Sequence, residues 1–217
     1  MPYIAALSAQ PHVAPMLAGP YAGTTFAMVE IDPLLAYQFS VDEVRQLHHH
    51  NGANTNVGLE ELLELCLPMH WGLENVFQYR QQNSAMFVSH GLNFHAAQQG
   101  IMQTPVGLFV GIQAGVSIPW VHVTRFNGKC YLHNGFHRSV GARARGATHI
   151  PCILRDVMDH ASAGVVGQGM TFDAALLDSA NPPTVGHYTQ GRAYDVTLKT
   201  FTRTINVSWS DYVVSQD

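Results

Sequence analysis

The chain has 217 residues, of which 47% are apolar and only 12% charged, roughly half the charged share usual for a soluble domain. That length buries a core without disulfide staples. The composition, with a net charge of −4, excludes intrinsic disorder, a charged coiled coil and a polycation built to coat nucleic acid.

Met1–Thr25 has no basic residue and is broken by Pro2, Pro11, Pro15 and Pro20. It therefore reads as an extended arm rather than a signal peptide. Phe26–Ile31 reads as a strand. Ser40-Val41-Asp42-Glu43 has the form of a capping box and predicts a helix from Val41 to His49. Asn51–Asn56 is a loop. Leu59–Leu67 predicts a second helix, stopped at Pro68, and Leu73–Gln81 a third. Val106–Ile112 and Trp120–Phe126 read as strands. Asn127-Gly128 is a hairpin signal, with Lys129–His133 returning antiparallel. A helix is expected over His137–Arg145, with Gly146 as its left-handed cap. Ile150–Leu154 is a strand in which Pro151 argues for an edge or strand-start position. Thr171–Leu177 is a short helix, and Ala193–Trp209 holds two strands, Tyr194–Lys199 and Thr204–Trp209. No run reaches the roughly 18 apolar residues of a membrane helix.

Charge is unevenly placed. Trp120–Arg155 carries six basic residues, Arg125, Lys129, Arg138, Arg143, Arg145 and Arg155, and no acid. The remainder holds five basic and fifteen acidic residues. One purely basic segment in an acidic chain points to an anion site; a solvated helix face is the plainer alternative. Conversely, the 44 residues Gln81–Thr124 contain no Asp, Glu, Lys or Arg. They suit a neutral pocket, a subunit contact or a buried segment. Cys66, Cys130 and Cys152 form no CxxC, which excludes a disulfide framework and a zinc ribbon and points to reduced thiols in a cytoplasmic protein. The thirteen histidines name no metal: His48-His49-His50 diverge on a helix, and His133 and His137 straddle a strand-turn-helix junction. His70, His90 and His95 lie among aromatic residues and suit a substrate pocket or simple packing.

Tyr131–Leu154 reads YLHNGFHRSVGARARGATHIPCIL. Gly135 permits a sharp strand-to-helix turn. The amides of Phe136, His137 and Arg138 then point out of a helix start, and Arg138 adds a planar fork for phosphate. This segment resembles the core motif of the ParB/sulfiredoxin superfamily: a strand, a Gly-x-His-Arg turn, an Ala-rich helix, then Gly and an Ile-Pro strand. Val29–Leu47 is similar to the family's opening strand, Gln-containing loop and first helix, and Ile118–Val123 to the strand before the motif. The resemblance implies an α+β fold with a ParB/sulfiredoxin-like core, a small mixed sheet with flanking helices. It implies core pieces at about 26–50 and 106–156, a mainly helical insertion at about 51–105 and a C-terminal β extension at about 157–217, together making a single domain.

The resemblance further implies a nucleotide, ATP or CTP, with Mg²⁺, held at Gly135, Phe136, His137 and Arg138. Phe136 stands where sulfiredoxin carries its cysteine, which argues against that activity. Free-serine kinases of the superfamily have acids where this chain has Asn134 and Gln38; amides orient groups but are not bases. Glu30 and Asp32 are nearby acids, so Glu30, Gln38, Asn134 and His137 are the candidate catalytic residues. A small cytoplasmic enzyme of the transferase or NTPase kind, acting on a small-molecule metabolite with a nucleotide, is the leading expectation. A nucleotide-gated binding module and a ParB-like nuclease stay open, as does a homo-oligomer. The three basic against seven acidic residues after Arg155 argue against nucleic acid.

Overall fold

The computed structural model describes residues 2–19, 21–41, 57–70, 76–89, 94–116, 118–164, 171–194, 196–197 and 203–208. The expected Val41–His49 helix beyond Val41, and the 51–56 loop, lie outside these. The architecture is mixed α+β, and the chain forms two compact units: Met1–Met69 with Pro119–Asp195, and His70–Ile118 with Val196–Asp217.

The first unit opens with two short helices, α1 (Pro2–Ser8) and α2 (Ala14–Ala18), where an extended arm was expected. The prolines explain the difference. Pro2 and Pro15 occupy first turns, where an amide proton has no helical partner to lose. Leu7 and Val13 are fully buried, and the Tyr3 hydroxyl reaches both Glu64 Oε2 (2.6 Å) and the Leu67 carbonyl (2.9 Å). The arm is thus packed down by its apolar positions.

The sheet of this unit has five strands. Strand β1 (Thr25–Glu30) pairs antiparallel with β9 (His149–Asp156). Strand β9 pairs parallel with β7 (His122–Phe126), which forms a hairpin with β8 (Lys129–Asn134). The two-residue β2 (Leu35–Ala36) closes the far edge parallel to β8. Helix α3 (Leu59–Cys66) buries Leu62, Leu63 and Cys66 and ends before Pro68, as its sequence predicts. The Cys66 and Pro68 carbonyls after it accept from the Val121 amide (2.8 Å) and the Trp120 indole (3.0 Å).

Turn chemistry places the β7–β8 hairpin and the helix behind it. Asn127 (φ 49°) and Gly128 (φ 74°) both take the left-handed region that a two-residue hairpin turn needs. Helix α4 (Phe136–Ala144) ends in a paired cap. The amide of Gly146 (φ 86°) donates to Arg143 O and that of Ala147 to Ala142 O. Strand β9 is internal, yet it contains Pro151. The Ile153 amide donates to Val121 O, so the nitrogen two residues earlier faces the same side, before β7 begins opposite Ile153. The proline therefore deletes no ladder bond. Helix α5 (Ala174–Leu177) is capped by Asp173, whose carboxylate accepts from the Leu176 amide, and α6 (Gly186–Thr189) follows.

The second unit corrects the expected helical insertion. Its described residues form strands β3 (Val76–Gln81), β4 (Ser84–Ser89), β5 (Phe94–Thr104) and β6 (Gly107–Val116). The helix expected over Leu73–Gln81 is, from Val76 on, a strand. Val76-Phe77-Gln78-Tyr79 is aromatic and β-branched with a period of two, a pattern that favours a pleated edge over a helix face. Strand β10 (Arg203–Ser208) pairs with β4, giving the order β10-β4-β3, while β5 and β6 form a two-stranded sheet. The tail's second expected strand is thus present. Of the first, residues 194, 196 and 197 are described and lie in no strand.

Candidate functional site

Gly135 sits between β8 and α4 with φ 99°. A Cβ there would stand 2.7 Å from Val121 Cγ2 and 3.1 Å from its Cα. Both the dihedral and the close approach therefore demand glycine. No side chain caps the helix. Buried Phe136, the first helical residue, stacks edge-on against Tyr37 at 5.6 Å and anchors the turn. His137 and Arg138 follow in the first turn, both half-buried.

The basic segment is largely neutralised in three dimensions by acids distant in sequence. Arg143 holds Asp32 through two bonds (2.6 and 3.1 Å), and Arg145 meets Glu61 at 2.6 Å. Lys129 meets Asp178 at 3.3 Å, and Arg125 meets Asp156 at 2.6 Å. No carboxylate among the described residues pairs with Arg138. Burial holds its guanidinium below its usual pKa, while the nearby Cys66 acts weakly the other way. A desolvated cation with no counter-charge is costly, and the described residues supply Arg138 with none.

The candidate catalytic residues are placed unequally. Ala36 lies opposite Leu132, so Gln38 lies beyond β2 at the end of the sheet where Asn134 and the turn lie. The Gln38 amide nitrogen is occupied by the Ser40 carbonyl. Asn134 donates to the Trp120 carbonyl (3.0 Å) and accepts from the Gly135 amide (2.9 Å). Its amide thus shapes the turn. Glu30 ends β1 opposite His149, and β9 and β7 stand between β1 and β8. At a spacing of about 4.8 Å per strand, Glu30 is about 14 Å from β8. Asp32 is committed to Arg143.

A histidine pair escaped the sequence reading. The β7–β8 register runs His122 opposite Asn134, then Val123 opposite Leu132. His133 is therefore the extra residue of a β-bulge, which re-aims its side chain. The His122 and His133 rings meet edge-on at 4.8 Å. His133 Nδ1 lies 3.3 Å from the Ala163 carbonyl, which only accepts, so Nδ1 is the donor in that contact. The Tyr37 hydroxyl donates to the His133 carbonyl (2.6 Å), and burial raises its pKa to about 12. His122 Nε2 is buried with no hydrogen-bond partner among the described residues. Burial, then His133 and Arg155, lower the His122 pKa to about 4. No periodicity in the sequence announces a bulge, so nothing there set these two rings side by side.

Thiol chemistry is disfavoured. Cys66 and Cys152 are buried, and burial raises both to about 12; burial also raises Cys130. In the native protein near pH 8, a thiol reagent is expected to label Cys130 alone, with all three reacting in denaturant. Fast native labelling of two or more thiols would contradict the burial described. No group of three or more His, Cys, Asp or Glu residues among the described ones has the arrangement to hold a metal ion. No described helix is long and apolar enough to cross a membrane. No family model, curated protein or solved structure matches the chain.

Proposed function

We propose that this chain binds a phosphate-bearing ligand of the nucleotide kind, ATP or CTP with Mg²⁺, at Gly135–Arg138. The observation that carries the reading is Arg138: a desolvated guanidinium with no carboxylate partner among the described residues, in the first turn of a helix with no side-chain cap. The outward amides of that turn and the helix dipole both favour an anion, and the guanidinium grips two phosphate oxygens at once. The order hairpin, Gly135 turn, helix and strand also supports the ParB/sulfiredoxin-like reading of the core.

For the chemistry, the leading reading is a nucleotide-dependent transferase or NTPase acting on a small metabolite. A second reading, a nucleotide-gated binding module without turnover, is favoured by the engagement of the Gln38 and Asn134 amides and the distance of Glu30. Turnover of a bound nucleotide separates the two.

The deciding experiment is a thermal-shift panel of ATP, ADP, CTP and GTP, with and without Mg²⁺, on wild type, Arg138→Ala and Arg138→Gln. A ligand at about 100 times its Kd stabilises by about 2.7 kcal/mol, a rise of roughly 5–11 °C for a chain of this size. We expect that rise with one nucleotide in wild type and its loss in both variants, with the folded state retained. No shift with any nucleotide, or an undiminished shift in a folded variant, overturns the site.

A further inference from the structure

The segment Val157–Gly164 leaves β9 and lies on one face of the five-stranded sheet. It is folded on itself. The Asp159 carboxylate accepts from the Ser162 amide (2.6 Å), the Asp159 carbonyl from the Ala163 amide (3.1 Å) and the Ala161 carbonyl from the Gly164 amide (2.9 Å). Ala163 is its one buried residue, and Met158 is 88% exposed. The β7–β8 register sets Thr124 opposite Tyr131, so these two share the face that the segment touches. The Ala163 carbonyl accepts from Thr124 Oγ1 (3.2 Å) and from His133 Nδ1 (3.3 Å). Gly164 comes so close that a Cβ would stand 2.3 Å from His133 Nδ1 and 3.3 Å from the Tyr37 hydroxyl. The His160 ring lies edge-on to Phe126 (5.0 Å) and to Tyr131 (6.2 Å). Tyr131 is fully buried, and its hydroxyl has no hydrogen-bond partner among the described residues.

His160 makes the contact that can change. Its Nε2 is buried and makes no hydrogen bond among the described residues, yet it lies 3.2 Å from Asp178 Oδ2, just after α5. A neutral ring leaves this nitrogen unpaired where water does not reach it, which is costly. A charged ring is drawn to the carboxylate by an attraction that needs no hydrogen-bond alignment. The two charge states of one imidazole therefore hold the segment with different strength.

We propose that Val157–Gly164 is an acid-latched strap. Protonation of His160 fastens it to the sheet through Asp178. Loss of that proton lets it lift as a unit and opens Thr124, Tyr131 and His133 to water. Imidazole is the side chain that ordinarily changes charge near neutral pH. The groups facing His160 are Asp178, Lys129 at 3.3 Å from the same carboxylate, the neighbouring Asp159, and the rings of Phe126 and Tyr131. His133 donates from Nδ1 to Ala163 in either of its charge states. His122, with its pKa lowered to about 4, stays neutral above that value. His133 stands two residues before Gly135, so the strap governs how water reaches the turn from this face. The latch requires no ligand at Gly135–Arg138.

The test is thiol labelling of Thr124→Cys, whose sulfur lies beneath the Ala163 carbonyl, at about pH 5.5 and about pH 7.5, on either side of the ordinary histidine range. Each rate is divided by that of the denatured chain at the same pH, which cancels the titration of the thiol itself. Cys130 neighbours Tyr131 on β8 and therefore faces the other way, which makes it the internal control. Protection at position 124 should fall by about threefold to fivefold at the higher pH, the upper range for a partly exposed ion pair. His160→Phe keeps the ring contacts without the charge, and Asp178→Asn removes the carboxylate; in both, the fall should vanish. Hydroxyl-radical oxidation of Tyr131 in the unsubstituted protein is a second readout, independent of how Thr124→Cys folds. It should rise with pH in wild type and stay level in His160→Phe. Protection and oxidation that ignore pH in wild type, or that change as much in folded His160→Phe, overturn the latch. An equal fall at Cys130 marks a loosening of the whole unit and overturns it as well.

Discussion

Gly135→Ala is expected to destabilise the first unit by about 3–5 kcal/mol, combining the strain of a left-handed alanine with overpacking against a strand. In a domain of this size that lowers the unfolding midpoint by roughly 6–20 °C. The new methyl would lie 2.7 Å from Val121 Cγ2 and 3.1 Å from Val121 Cα. The first contact relaxes by a rotamer change. The second does not, because the Val121 backbone is held on both sides, its amide by the Cys66 carbonyl and its carbonyl by the Ile153 amide. Gly128 isolates the dihedral contribution. Its φ is 74°, and a Cβ there meets nothing within 4 Å. Gly128→Ala should therefore cost about 1–2 kcal/mol, the left-handed penalty alone. Chemical denaturation of both variants measures the difference. Equal losses would mean that β7 yields and that close approach is not why position 135 is glycine. Because the amides of Phe136, His137 and Arg138 ride on this turn, a folded Gly135→Ala protein should also lose nucleotide-induced stabilisation.

Local chemistry in this chain was readable from local sequence, and long-range pairing was not. Asn127-Gly128 specified its hairpin because two consecutive left-handed residues suit few other structures. Gly146 marked a helix end for the same reason. Leu59–Leu67 was legible from its apolar spacing and Pro68. The prolines of the N-terminal arm hide its helices, because two of them stand in first turns, where proline is tolerated. Val76–Gln81 is too short to carry a helical period, and its alternation of Phe77 and Tyr79 with Gln78 and Arg80 suits the strand that pairs with β4. The basic segment is the clearest case. Its one-sided charge was real in sequence, but Asp32, Glu61 and Asp178 reach it only through the fold. Arg138 and Arg155 are the two that lack a carboxylate partner among the described residues, and of these Arg138 is half-buried while Arg155 is exposed. The His122–His133 contact depends on one extra residue in a ladder, which shifts side chains without leaving a periodic trace.

His122, one ring of that pair, makes the fold sensitive to acid. His122 has a folded-state pKa of about 4 against an ordinary 6.5. The unfolded chain therefore takes up a proton first as pH falls. The stability contributed by the neutral ring is fully present above about pH 6.5 and is lost progressively as pH falls toward 4. The loss expected across that window is about 2–3 kcal/mol, after allowing for the ring's partial solvent access. Among the described residues, the groups that face it oppose its protonation or are neutral there. His133 and Arg155 are the charge partners, and Tyr21 touches its ring edge-on at 5.9 Å. His122→Phe keeps an aromatic ring in that contact but removes both the titration and the buried nitrogen that lacks a partner among the described residues. At pH 7 the variant should lie within about 1 kcal/mol of wild type, because removing an unsatisfied buried polar atom offsets small packing losses. Between pH 6.5 and 4 its stability should fall with a visibly shallower slope. Urea denaturation at half-unit pH steps reads this directly. An unchanged slope in His122→Phe would move the acid sensitivity to another group, and would mean that the ring of His122 is solvated well enough to protonate in the folded protein.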